Sequence, residues 1–250
     1  NLARPGETAA KIAVGRTLDE ITNEVTTRTT AAFEPSLDYC VVKIPRWPFD
    51  KFPTGDRTLG TQMKATGEVM AIDRSFEAAL QQAVGSMETG RESLLWEDPE
   101  WGKTPDGVVT DDDRLWRLVS VLRHGASPEA VSRATGIDPW FTRALQRLVA
   151  MERRLLSEDL NPELLLAAKR MGFSDAQIGI LADQLSEHVR QLRHRWDMVP
   201  VYKMVDTCAG EFEAATPYFY STYEEENEAD PIQGPKAIVV GSGPIRIGQG

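Results

Sequence analysis

Apolar residues along the chain follow three patterns in turn, and each pattern predicts a different kind of element. The first ninety or so residues mix helical and strand signals. Glu7 to Val14 reads as a short helix with Gly15 placed to end it. Thr17 and Glu20 have capping-box spacing, which predicts a helical piece over Leu18 to Val25. Leu37 to Ile44 is rich in Val, Ile and Tyr and predicts a strand stopped by Pro45; Glu68 to Ile72 predicts a second. Trp47 to Arg57, with Pro48, Pro53 and Gly55, reads as loop. From Ser75 to Met87, Phe76, Ala79, Leu80, Ala83, Val84 and Met87 recur at helical spacing, and Gly90 ends the run.

Residues 91–112 break the periodicity with turn and charge clusters, and read as a linker. The triplet Asp111, Asp112 and Asp113 reads there as a solvated turn ahead of a helix start. Beyond it the pattern is helical to residue 199. Leu115, Leu118, Val119 and Leu122 form one stripe, ended near Gly125. Ser127-Pro128, Asp138-Pro139 and Asn161-Pro162 each set a capping side chain before a proline suited to the first helical turn. Gly136 and Gly172 close two of these helices, and Phe141, Leu145, Leu148 and Val149 share a face of another. Leu164, Ala167, Ala168 and Met171 line the next helix. Ser174 and Gln177 repeat the capping-box spacing, and Ser186 precedes a last helix with Val189, Leu192 and Trp196 inward. Such short helices are marginal alone, so they must pack as a bundle, with Leu118, Leu122, Phe141, Leu145, Leu148 and Leu192 in its core.

After Pro200 strand signals return at Val201 to Val205 and Tyr218 to Thr222. Glu224 to Asp230 reads as a solvated acidic linker. Lys236 to Val240 reads as a short buried strand running into the glycine-rich stretch Gly241 to Gly250. The fold class is therefore mixed: α+β at the start, all-α in the middle, and the first strand and turn of an α/β unit at the end.

Charge narrows the function classes. With 28 basic and 38 acidic residues the net charge is -10, which argues against a nucleic-acid footprint. No stretch approaches the ~18 uninterrupted apolar residues of a membrane span. Cys40 and Cys208 are too few for a disulfide framework or a zinc site, which predicts a reducing, cytoplasmic setting. The chain starts at Asn1 without a methionine and stops inside a glycine-rich turn, so it reads as an internal slice of a longer protein.

Candidate chemistry is sparse. Gly241, Gly243 and Gly248 after a strand would let backbone amides approach an anion, but Arg246 stands where a dinucleotide fingerprint needs its third glycine. A plain tight turn and an anion cradle both remain open. His188 and His194 lie six apart, off the spacing at which two imidazoles on a helix share a metal. Ser242 lacks the flanks of a nucleophile elbow. One competing reading takes Ser127 to Ala150 as a helix-turn-helix nucleic-acid reader, with Arg143, Arg147, Arg153 and Arg154 on its second helix. The acidic balance of the chain opposes it.

Longer strings carry more than any of these. Ala9-Ala-Lys-Ile-Ala-Val-Gly15, Thr17-Leu-Asp-Glu20, Phe33-Glu-Pro-Ser-Leu-Asp-Tyr39, Val42-Lys-Ile-Pro-Arg46, Met63-Lys64 and Gly67-Glu-Val-Met-Ala-Ile72 resemble the end of the first ATP-grasp unit of the carbamoyl phosphate synthetase large subunit. Gly136-Ile-Asp-Pro-Trp-Phe141 and Lys169-Arg-Met-Gly-Phe-Ser-Asp175 resemble that subunit's helical oligomerisation domain. Pro200-Val-Tyr-Lys-Met-Val-Asp-Thr-Cys-Ala209, Glu211-Phe212, Tyr220-Ser-Thr-Tyr-Glu-Glu-Glu226 and Gly241 to Gly250 resemble the entry into its second synthetase half, while Asn1 to Glu7 depart from the family.

The resemblance implies a division of the chain: 1–90 as the end of the first ATP-grasp (carboxyphosphate) domain, 91–112 as linker, 113–199 as oligomerisation domain, and 200–250 as the start of the second half. It implies a parent enzyme that uses ATP, with Mg or Mn, to make carbamoyl phosphate from bicarbonate and glutamine-derived ammonia. The implied partners are a glutaminase small subunit and further copies of the chain, with no nucleic acid and no membrane. Within this piece it implies scaffold, with no catalytic, cofactor or metal residue. Gly241, Gly243, Gly248 and Gly250 are the candidates to line an internal path for carbamate.

Overall fold

The computed structural model describes residues 5–23, 28–34, 36–91, 93–206, 218–238 and 241. It is helix-rich, with two small antiparallel sheets. Helix α1 (Pro5–Ala13) is followed by Gly15 at φ 94°. The capping contact at Thr17 forms, its N–H donating to the Glu20 carboxylate at 3.1 Å, yet only one 3-10 turn results, Leu18–Glu20. The expected helix to Val25 is corrected: the chain bends back after Ile21, Thr22 bridges Thr30, and Val25 itself lies outside the described residues. A β-branched, Thr-rich stretch loses little by leaving the helix.

Strands β1 (Cys40–Arg46) and β2 (Gly67–Asp73) pair antiparallel, from Cys40 opposite Asp73 to Arg46 opposite Gly67. Pro45 does not stop β1 but pairs with Glu68 inside it. In a two-stranded ribbon every strand is an edge, where a missing N–H can face away from the partner. Helix α2 (Phe76–Gly85) covers the ribbon's inner face, its start capped by Ser75, whose hydroxyl accepts from the Ala78 N–H at 3.2 Å. It ends before Met87, which is buried all the same.

The helical region forms as the cap signals predict. Its elements are α3 (Arg114–Arg123), α4 (Pro128–Thr135), α5 (Pro139–Ser157), α6 (Pro162–Arg170), α7 (Asp175–Leu181) and α8 (Ser186–Arg195). Ser127, Asp138, Asn161 and Ser174 all accept backbone N–H bonds at their helix starts. Ser186 is the first residue of α8, with Leu185 in the capping position and no side-chain cap bond. Leu118, Leu122, Leu145 and Leu148 are buried, and Leu192 is partly buried against them. Phe141 is a correction: it is 44% exposed, because it and Trp140 stack edge-on with Phe76 at the rim, with ring centroids 5.6 and 5.2 Å from it. One core runs from Val42 and Val69 through α2 into the helices, reaching Val189 of α8.

The described residues of 91–113, expected as linker and solvated turn, have no regular element beyond a 3-10 turn at Pro105–Gly107. They are only partly solvated: Leu94, Trp101 and Asp113 are buried, while Glu100, Lys103 and Asp106 are exposed. At the far end β3 (Val201–Met204) and β4 (Phe219–Thr222) form the second ribbon. The acidic stretch after it is only partly free, since Glu228 accepts from the Met204 N–H at 2.8 Å and binds Lys203 at 2.9 Å. The strand expected over Lys236 to Val240 is not seen where the chain is described: Lys236 to Ile238 are not strand, and Ile238 is 92% exposed. Val239 and Val240 lie outside the described residues.

Candidate functional site

The first feature that joins parts of the chain distant in sequence is α2, which has the ribbon on one side and helices on the other. Gly172, at φ 84°, ends α6 against α2 so closely that an added Cβ would sit 2.7 Å from Ala78 Cα. Gln81 donates to the Met171 carbonyl and accepts from Gln177, each at 2.8 Å, and Arg147 donates to Glu77. The buried glutamine pair satisfies polar groups that burial would otherwise leave costly.

A second feature is a cleft of ≈ 170 Å3 where the loop after β1 meets the start of α3. Arg46, only 5% exposed, forks onto Asp50 at 2.9 and 3.2 Å. Arg57 forks onto Asp112 at 2.7 and 2.8 Å and reaches Asp113 at 3.0 Å. Arg91 also bonds Asp113, and its guanidinium lies 3.7 Å from the Trp96 ring centre. The Arg46 hydrogen bond holds the Asp50 carboxyl below the usual carboxylate range, and the bond to Asp112 holds Arg57 up. Three guanidinium groups thus meet three carboxylates, and the aspartates are committed to cations of their own chain. Among the described residues no group of three or more His, Cys, Asp or Glu side chains is placed to hold a metal ion. The cleft clasps elements together.

Arg123 extends this clasp. It donates to Glu152 of α5 at 2.8 and 3.1 Å, to Glu97 at 2.7 Å and to the Leu94 carbonyl at 3.1 Å. Burial alone would push Arg123 down, but the two glutamates outweigh it and hold the guanidinium above its usual value.

The candidate residues read from the sequence fare unevenly. Of the four proposed path-lining glycines, only Gly241 is described; an added Cβ there meets no atom of the described residues within 4 Å. Gly243, Gly248 and Gly250, like Ser242, Arg246 and Cys208, lie outside the described residues. The four arginines of the nucleic-acid reading are engaged at home. Arg143 binds Glu129 at 3.0 Å, Arg147 binds Glu77, Arg154 binds Glu158 at 2.8 Å, and Arg153 donates to the Arg123 carbonyl at 3.2 Å. His188 and His194 are exposed on α8. Cys40 is partly buried, and that burial pushes its thiol up, away from nucleophilic use.

Two further features escaped the sequence reading. At the corner between α7 and α8, Ile180 and Leu185 are 72% and 79% exposed beside a shallow hollow. Where the chain leaves β4, Tyr223 places its ring 5.0 Å from Lys169 Nζ and 5.8 Å from the Arg193 guanidinium. Lys169 and Arg193 both bind Asp175, at 2.9 and 3.2 Å. Burial pushes Lys169 down and Tyr223 up; it also pulls Asp175 upward, but the two cations outweigh it and keep that carboxyl low. The string around Tyr223 was visible in the sequence, but nothing in it pointed to cations on α6 and α8.

Comparison with known proteins bears directly on this arrangement. Residues 68–197 match the family model described as carbamoyl-phosphate synthetase large chain, oligomerisation domain. The chain is 60% identical over 247 residues to the carbamoyl phosphate synthase large chain of Thermomicrobium roseum, covering 97% of this chain and 23% of that protein. It is 53% identical over 246 residues to the protein of the same name from a Thermoanaerobacter species, with the same coverages of 97% and 23%. The chain thus spans about a quarter of the length of the curated relatives it matches.

Proposed function

Because the chain belongs to the carbamoyl-phosphate synthetase large-chain family and contains its oligomerisation domain, we propose that it is the central scaffold of an ATP-dependent carbamoyl phosphate synthetase. The observation that carries this reading is the coincidence of the matched span 68–197 with the packed core from β2 to α8. In the proposed division, 1–90 closes the first, carboxyphosphate-forming ATP-grasp unit, 91–112 connects, 113–199 mediates self-association, and 200–250 opens the second half. The whole enzyme phosphorylates bicarbonate, forms carbamate with ammonia released from glutamine by a small subunit, and phosphorylates carbamate. ATP and its Mg or Mn are held by parts of the whole enzyme other than these residues. The proposed setting is the cytoplasm, in arginine or pyrimidine biosynthesis.

In this reading the piece contributes architecture. Carbamate decomposes in water, so a path between two active sites needs rigid, water-excluding walls. The extended core and the arginine clasps supply that rigidity, while Gly241, Gly243, Gly248 and Gly250 are the proposed lining, where absent side chains leave room. The exposed Ile180 and Leu185 suit a surface that meets another polypeptide.

The test uses the full-length large chain alongside the 250-residue piece. The full chain should hydrolyse ATP in a bicarbonate-dependent way and shift to larger species with concentration in sedimentation. The piece alone should show no such ATP turnover. Bicarbonate-dependent turnover by the piece, or a full-length chain that stays monomeric at every concentration, would overturn the scaffold reading. On no arm should duplex DNA be retained at physiological salt.

A further inference from the structure

Two adjacent residues where the chain leaves β4, Thr222 and Tyr223, grip opposite sides of the molecule. Successive side chains of extended backbone point to opposite faces. Thr222, buried at the end of β4, donates its hydroxyl to Asp73 Oδ1 at 2.9 Å, at the end of β2. That carboxylate also accepts from Gln82 of α2 and from the Arg74 N–H. Tyr223 turns the other way, its ring over Lys169 and Arg193. Its carbonyl accepts from Arg170 Nε at 2.9 Å, and Arg170 also reaches Glu225 at 3.7 Å. Because Lys169 and Arg193 share Asp175, one aromatic ring gathers α6, α7 and α8. A cation over a ring gains most where water is excluded, and Lys169 is only 8% exposed.

The position of this contact along the chain gives it meaning. Asp73, Lys169, Arg170, Asp175 and Arg193 all lie inside the span matched to the oligomerisation domain, whereas Thr222 and Tyr223 lie beyond it. After Tyr223, Asn227 and Glu228 bond to β3, which belongs to the same exit ribbon. The grip on the helices is therefore concentrated at Tyr223, Arg170 and Glu225.

Resting on the reading above, we propose that Thr222 and Tyr223 form a two-sided coupling clasp, which fixes the exit segment to both β2 and α6–α8 and so holds the second half of the synthetase in register with the first. Tyr223 is a positioning residue in this scheme, and it touches neither substrate nor nucleotide. Loosening it lets the two halves drift, so carbamate made by one is lost to water before the other captures it.

The experiment compares the full-length large chain with its Tyr223→Phe, Tyr223→Leu and Arg170→Ala variants. Two quantities are read: hydrogen exchange across residues 224–230, and ATP hydrolysed per carbamoyl phosphate formed with ammonia as nitrogen source. Tyr223→Leu should speed exchange about tenfold and raise the ATP-to-product ratio about twofold, leaving the KM for ATP unchanged. Tyr223→Phe, which keeps the ring, should match the parent on both. Arg170→Ala, at a half-exposed site outside the core, should move both quantities the same way and covers the case in which Tyr223→Leu misfolds. Exchange or a ratio unchanged in the folded Leu and Ala variants would overturn the clasp. If the parent shows no bicarbonate-dependent turnover, the synthetase reading fails, and the exchange data alone then decide whether the clasp exists.

Discussion

The helices from α3 to α8 and the irregular stretch 91–113 bury side chains in one continuous core by different means. The helices do it by period and cap. Each apolar stripe is legible in the chain, and Ser127, Asp138, Asn161 and Ser174 mark where the next begins. The irregular stretch has no period to follow. It is held by Trp96 and Trp101 packed edge to face with centroids 5.0 Å apart, by Arg91 over Trp96, and by Arg123 reaching in from α3. A periodic surface can bury itself against any matching stripe, whereas an aperiodic one needs specific, directional partners at each step. The first kind of burial should fail by leaving a cavity, the second by losing a charge.

Leu148 is fully enclosed on α5. Leu148→Ala should cost about 2–5 kcal/mol through lost transfer energy and the void left behind. Chemical denaturation followed by circular dichroism measures it, and an unmoved midpoint would remove Leu148 from the core.

Arg123→Ala sharpens the contrast. It leaves Glu152, a buried carboxylate on α5, without its guanidinium. The expected cost is about 1–3 kcal/mol, and its signature differs from that of Leu148→Ala. Tryptophan emission from Trp96 and Trp101 should shift toward that of exposed indole while helical circular dichroism persists. Loss of both signals together would show that stretch and bundle unfold as one unit.

The smallest effect concerns the exposed loop that leads to Arg57. A hydrogen bond from Lys64 holds the Asp56 carboxyl down at about 2, aided by the Thr58 N–H. The folded value lies below the unfolded one of about 3.9. This contribution is therefore complete above pH ~4 and is lost as pH falls toward ~2. Amide exchange in residues 56–64 should rise over that window, and Asp56→Asn should abolish the acid dependence. Exchange that is flat with pH in the parent would show that the contact does not form.

Local code accounts for what the sequence shows well. Caps, proline-led helix starts and glycine stops depend on neighbours within four residues, so Gly136 and Gly172 could be placed without knowing the fold. The long strings also carried the family before any geometry was known. The sequence reading erred where a residue's fate depends on a distant partner. Pro45 is tolerated because its strand is an edge, and Phe141 is held at the rim by Phe76. The Asp111–Asp113 turn is drawn inward by Arg57 and Arg91, which lie 55 residues before Asp112 and 22 residues before Asp113 in the chain.

By itself, then, the sequence determined the helical register, the caps and the family, because backbone hydrogen bonding and apolar period act over a few residues. The tertiary structure decided which charges meet: Arg123 with Glu152, Arg57 with Asp112, and Tyr223 with Lys169 and Arg193. An ion pair or a cation over a ring gains its energy from proximity and desolvation, and both exist only once distant segments have packed.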